Sequence, residues 1–152
     1  VSVNLNVESI FTEWFKKFDN FLDIAQKSMV VVEFHISDIF SDFSLFLKAR
    51  DFLQTRGYRV LLDGLDHHSM LQVDRESLGL DLAKIIWSND LEAAIEIDNE
   101  KFLLSVERFG ANRLILSRCD TKYAINYGKA LGIALFQGWF IDKALIPSYS
   151  LA

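Results

Sequence analysis

Short, almost continuously apolar runs rich in β-branched residues alternate along this chain with longer stretches in which apolar positions recur every three or four residues. The first pattern is that of a strand covered on both faces, the second that of an amphipathic helix. The runs predict strands at Val1–Val7, Met29–Ile36, Arg59–Leu65, Ala83–Trp87, Arg113–Cys119 and Leu135–Phe140. Strands separated by helical stretches are the rhythm of βα units, which build parallel sheets with helices on both sides or closed into a barrel.

Between the first two strands, Ile10, Trp14, Phe18 and Leu22, with Phe11 and Phe15, fall at helical spacing and predict one wide core-facing stripe. Phe43 to Leu53 repeats the pattern. Gly57, Gly110 and Gly132 each follow a helical stretch, the latter two after helices beginning near Asn99 and Thr121, and are expected to cap it. A short helix is expected at about Ser69 to Leu78. The only proline is Pro147, and no low-complexity run marks a linker, so residues 1–152 are expected to form one domain.

Composition narrows the class. Of 152 residues 51% are hydrophobic, among them 13 Phe, 3 Trp and 4 Tyr, enough large apolar groups to fill a core without staples. A net charge of -5 gives no footprint for nucleic acid. The apolar segment from Ala130 to Ile141 is broken by Gln137 and two glycines, far from the roughly 20 apolar residues of a membrane span. Cys119 is the single cysteine and cannot form an internal disulfide, which fits a reducing cytoplasm. The chain starts on Val1 and goes straight into a strand, which reads as a piece excised from a longer protein.

In a parallel barrel the C-terminal ends of the strands surround one mouth, so polar residues there are the first candidates for a site. They are Asn4 in Ser-Val-Asn-Leu, Glu33 in Val-Val-Glu-Phe-His-Ile, Asp63 in Leu-Leu-Asp-Gly, Lys84 in Ala-Lys-Ile-Ile and Gln137 in Phe-Gln-Gly-Trp. Polar groups inside apolar strands are costly unless they are paired or used. Other groups carry less. His67-His68 beside Asp66 have zinc-compatible chemistry, yet adjacent residues seldom point at one ion, and a solvated loop accounts for them better. His35 reads as a satisfied core or mouth histidine, and Cys119 as a buried inert thiol.

Taken in order, these runs resemble the EAL-type cyclic-di-GMP phosphodiesterase domain from about its third strand onward, where the family reads VNLS, ExTE, DDFGTG, KID, AEGVET and QGY. The resemblance covers essentially the whole chain and implies an α/β fold, a parallel (β/α) barrel of EAL type that is incomplete here with about six strands. It also implies that Asn4, Glu33 and Asp63 stand at three positions that hold a divalent ion. Hard Mg²⁺ or Mn²⁺ suits such oxygen ligands. Lys84 and Gln137 match the catalytic lysine and the site glutamine. Two readings of Lys84 stay open, a remnant phosphate contact or a structural ion pair with Asp63 or Glu33; Asn4 and Gln137 are equally readable as satisfied core amides.

The departures are as informative as the matches. Ile36 stands for the second glutamate of ExTE, Gly64 for the second aspartate, Ile86 for the aspartate of KID and Ser117 for the glutamate of AEGVET, with Asp120 where that run's second glutamate would be. Two-metal hydrolysis needs both ions. The expectation is therefore a catalytically inactive signalling module with no catalytic residue set intact and no cofactor, unless the vestigial Asn4, Glu33 and Asp63 positions still take Mg²⁺ or Mn²⁺. It would act on a partner protein or other domains of a signalling chain. The alternatives are a cyclic-di-GMP receptor that does not hydrolyse and, behind it, a residual phosphodiesterase. An incomplete barrel also leaves apolar edge strands, from which a homo-oligomer, most simply a two-fold dimer, is expected.

Overall fold

A computed structural model describes residues 1–145, with the side chains from 143 onward left aside. The chain runs β1 (Ser2–Asn4), a 3-10 turn (Val7–Phe11), α1 (Glu13–Phe21), α2 (Ile24–Ser28), β2 (Val31–His35), α3 (Ile36–Ser41), α4 (Phe43–Thr55) and β3 (Arg59–Leu65). It continues with α5 (Ser69–Gln72), β4 (Leu82–Ile86), α6 (Asn89–Ile97), α7 (Asn99–Phe109), β5 (Leu114–Ser117), α8 (Lys122–Ala130), β6 (Leu135–Phe136) and α9 (Trp139–Leu145). The strands form one six-stranded sheet in chain order. The pairs β1-β2, β2-β3 and β5-β6 are parallel, as the βα rhythm requires.

The chain divides into two compact units, Val1–Leu65 with Asp74–Ala83, and Asp66–Val73 with the chain from Lys84 onward. In the first unit the alternation of β2 sorts its side chains. Val32 and Phe34 are fully buried, and the Phe34 ring meets Phe46 of α4 edge-on at 6.2 Å between centroids. Glu33 and His35 therefore point to the opposite face. Ala49 and Leu53 follow Phe46 at helical spacing on α4 and are equally buried. In the second unit Phe102, Val106 and Phe109 form the buried stripe of α7, and Leu114 and Leu116 that of β5.

Short polar residues start the helices. Thr12, Asp42, Ser88, Asp98 and Thr121 each accept a hydrogen bond from a backbone N–H in the first turn that follows, and Asp23 with Gln26 makes a reciprocal capping box. The expected glycine stops hold: Gly57, Gly110 and Gly132 sit at the ends of α4, α7 and α8 with φ of 93°, 86° and 83°.

Several boundaries differ from expectation. The first strand stops at Asn4, because Val7 turns into the 3-10 segment and donates its N–H to Asp38 Oδ2 at 2.6 Å. The last strand stops at Phe136, and Trp139 and Phe140 belong to α9. The turn comes at Gly138, where a Cβ would lie 2.7 Å from the carbonyl carbon and oxygen of Cys119, so that only glycine lets the two chain segments approach. The expected helix at Ser69 to Leu78 is one turn, Ser69–Gln72, followed by turns. Helices α3 and α6 were not anticipated. The α1 stripe buries Ile10 and Phe15 completely but leaves Trp14 59% and Phe11 41% exposed, with Trp14 stacked on Phe18 outside the core.

Candidate functional site

In the first unit the parallel register sets the polar residues side by side. Asn4 of β1 is paired with Glu33 of β2, and one step along the same face His35 of β2 is paired with Asp63 of β3. Partners in register share a face of the sheet, and residues two apart on a strand do so as well. Asn4, Glu33, His35 and Asp63 thus share the face turned away from α4. Glu33 is buried at 3% exposure, Asp63 is half-buried, and Asn4 and His35 are exposed. Three of the four are the positions to which the resemblance assigns a divalent ion.

His35 is more than a bystander. Its Nδ1 lies 2.8 Å from Ser37 Oγ and accepts from the Ser37 N–H at 3.3 Å, so the imidazole caps α3. The rest of the ring covers Gly64. A Cβ on Gly64 would come within 2.7 Å of His35 Cδ2 and nearer still to Nε2. Gly64 has φ 85°, and its N–H donates to its neighbour Asp63 Oδ1 at 2.8 Å. A side chain at position 64 would require the exposed His35 ring to move from where it stands. Gly64 brings no side-chain oxygen to the position that the resemblance gives to a second ion. Ile36, which the resemblance sets at the second glutamate of ExTE, is the first residue of α3.

The second unit carries the other candidates. Lys84 and Ser117 are buried, at 6% and 7% exposure, in β4 and β5. The Ser117 hydroxyl donates to the Ile85 carbonyl at 3.1 Å, and its own carbonyl accepts from the Trp87 N–H, so serine here ties β5 to β4. Ile86 closes β4, half-buried. Gln137 has an exposed side chain, while its backbone continues the ladder, donating to the Leu116 carbonyl at 2.9 Å and accepting from the Cys119 N–H at 3.0 Å. Between β5 and α8 Arg118 takes a left-handed conformation at φ 59°. Asp120 then accepts the Trp139 N–H at 3.0 Å and so caps α9.

Cys119 is fully buried, and burial pushes its thiol up to about 11. The Asp66 carboxylate accepts from the N–H of His68 and from both the N–H and hydroxyl of Ser69, and the Ser69 bonds hold it below its ordinary range. It starts α5 rather than presenting a free ligand beside His67 and His68, whose rings lie 3.9 Å apart. Among the described residues no group of three or more His, Cys, Asp or Glu side chains is placed to hold a metal ion. No buried side-chain nitrogen or oxygen among them lacks a partner.

Two features escaped the sequence, the cover of His35 over Gly64 and the capping of α9 by Asp120. Both join residues far apart in the chain, and neither leaves a periodic or compositional trace.

No family model matches the sequence, and neither does any curated protein. Solved structures do match. The Bacillus subtilis YkuI protein with an EAL domain, in complex with its substrate cyclic-di-GMP and calcium, is 18% identical with a TM-score of 0.69 over 92% of this chain. Vibrio cholerae LapD, as the S helix-GGDEF-EAL portion bound to cyclic-di-GMP, is 14% identical with a TM-score of 0.70 over 93%. Klebsiella pneumoniae BlrP1 in a calcium and cyclic-di-GMP complex is 21% identical with a TM-score of 0.61 over 91%. The fold is that of EAL-domain proteins, an α/β parallel arrangement as expected. The chain spans 36% of the YkuI and LapD chains and 37% of BlrP1, and so corresponds to part of each.

Proposed function

We propose that this chain is a catalytically silent EAL-like module that works by binding, to a partner protein or to other domains of a signalling chain. The observation that carries the reading is the one at Gly64. The resemblance calls for a carboxylate there to hold a second ion, and the place of its Cβ is taken by the His35 ring. Hydrolysis of a phosphodiester by two metals needs one ion to activate water and another to stabilise the leaving oxygen. Ser117 adds to the argument, since its hydroxyl is spent on the Ile85 carbonyl and is not a carboxylate that could hold an ion or act as a base near neutral pH.

A second reading keeps the nucleotide. The matched YkuI, LapD and BlrP1 structures hold cyclic-di-GMP, and this chain retains Lys84 and Gln137 at positions that the resemblance gives to the site. A receptor that binds without cutting would use them for phosphate and base contacts. Titration with cyclic-di-GMP, with and without Mg²⁺ or Mn²⁺, while following any linear product, separates the readings. No binding supports the interaction module. Binding without product supports the receptor, and metal-dependent product overturns both.

A further inference from the structure

Resting on the reading of an inactive site, we infer that His35 and Gly64 form a matched pair in which the imidazole plugs the second-ion position, so that a carboxylate returns to position 64 only when the ring is removed. The inference goes further than a missing ligand. If Gly64 were simply a lost aspartate, the space of the side chain would be left open. Instead the ring stands where the Cβ would be, with its Nδ1 tied to Ser37 at the start of α3. The register fixes the approach, because His35 is the β2 partner of Asp63, the residue immediately before Gly64.

Two physical effects act on any side chain at this position, and they can be told apart. The positive φ of 85° disfavours every residue but glycine, though Asp and Asn tolerate such conformations best. Collision with the ring depends on His35 alone. Strain from φ is therefore the same whether or not His35 is present, and it cancels in a double-mutant cycle, whereas the collision does not.

The test uses the 152-residue chain and its Gly64→Asp, His35→Thr and His35→Thr/Gly64→Asp variants, with thermal melting and Mn²⁺ binding by calorimetry as readouts. Gly64→Asp alone is expected to melt at least about 5 °C lower than the wild type and to bind Mn²⁺ no better. Measured against His35→Thr, adding Gly64→Asp should cost clearly less than it does in the wild type, the φ strain remaining, and the double variant should bind Mn²⁺ at least about tenfold tighter than Gly64→Asp. Should Gly64→Asp fail to fold, the pair Gly64→Ala and His35→Thr/Gly64→Ala carries the melting test, since the collision begins at Cβ. Wild-type melting of Gly64→Asp, no reduction of its cost on removing His35, or equal Mn²⁺ affinity in the single and double aspartate variants would each overturn the inference. Turnover of cyclic-di-GMP by the wild type would sink the proposed function without touching this cycle, and an absence of coupling would sink the plug and leave the proposed function standing.

Discussion

The Tyr58 hydroxyl donates to the Asp19 carboxylate at 3.0 Å, joining the residue that leads into β3 to the buried side of α1. Lys27 Nζ reaches the same carboxylate at 2.7 Å and Arg56 Nε at 3.2 Å. One carboxylate thus gathers α1, α2 and the turn between α4 and β3.

Asp19→Asn should destabilise the protein by on the order of 2 kcal/mol, because it leaves two partly buried cations facing a neutral amide. Burial pushes the Asp19 carboxyl upward, but the bonds from Lys27 and Tyr58 and the charges of Lys27 and Arg56 outweigh it and hold the group below its ordinary value of 3.8. A carboxylate depressed in the folded state contributes stability that is complete above its unfolded value and fades as pH falls through the folded one. Urea unfolding should therefore show a wide gap between wild type and Asp19→Asn near neutrality that narrows below about pH 3.8. A gap independent of pH would refute the ionic account.

Phe46→Ala should cost about 3–5 kcal/mol, because the ring is fully buried and meets Phe34 edge-on, so that its loss leaves a cavity between α4 and β2. Chemical denaturation reads this as a lower midpoint with little change in slope. A loss under about 1 kcal/mol would mean that the helix does not pack on this strand.

Cys119 should resist thiol reagents in the native protein. It is fully buried, and burial raises its thiol to about 11, so little thiolate exists near neutral pH. Labelling with a chromogenic disulfide is expected to be slow until denaturant is added and then complete. Rapid labelling of the folded chain would disprove the burial.

Gly138→Ala should lower stability by about 2 kcal/mol or more, since the added Cβ would press on the Cys119 backbone, which the chain cannot move without breaking the Cys119-to-Gln137 bond. Melting at the wild-type temperature would count against the close approach.

Self-association is a further expectation. On the second unit Leu135 of β6 is 36% exposed and Trp139 at the start of α9 59%, and exposed apolar groups beside an edge strand favour pairing with another copy. Light scattering at micromolar concentration should report a dimer. A monomer would show that these side chains need no cover.

Periodicity along the chain was enough for the six strands in order and for the amphipathic helices α1, α4, α7 and α8, because a strand buried on both faces and an amphipathic helix each write their period directly into the sequence; the short α3 and the helix α6 were missed. It was enough also for the glycine stops after α4, α7 and α8, where the required backbone conformation selects the residue. The candidates Asn4, Glu33, Asp63, Lys84 and Gln137 were legible as polar residues interrupting apolar runs. Tertiary structure alone decided the rest. Trp139 and Phe140 continue an apolar run yet belong to a helix, because Gly138 must turn against the Cys119 backbone. Asp120, set by the resemblance where a second glutamate would be, caps α9. Gly64 looked like the loss of a ligand, and only the register of β2 on β3 shows the imidazole lying across it. A one-dimensional pattern records which residues avoid water; it does not record which of them meet, since register and packing are settled only when distant strands pair.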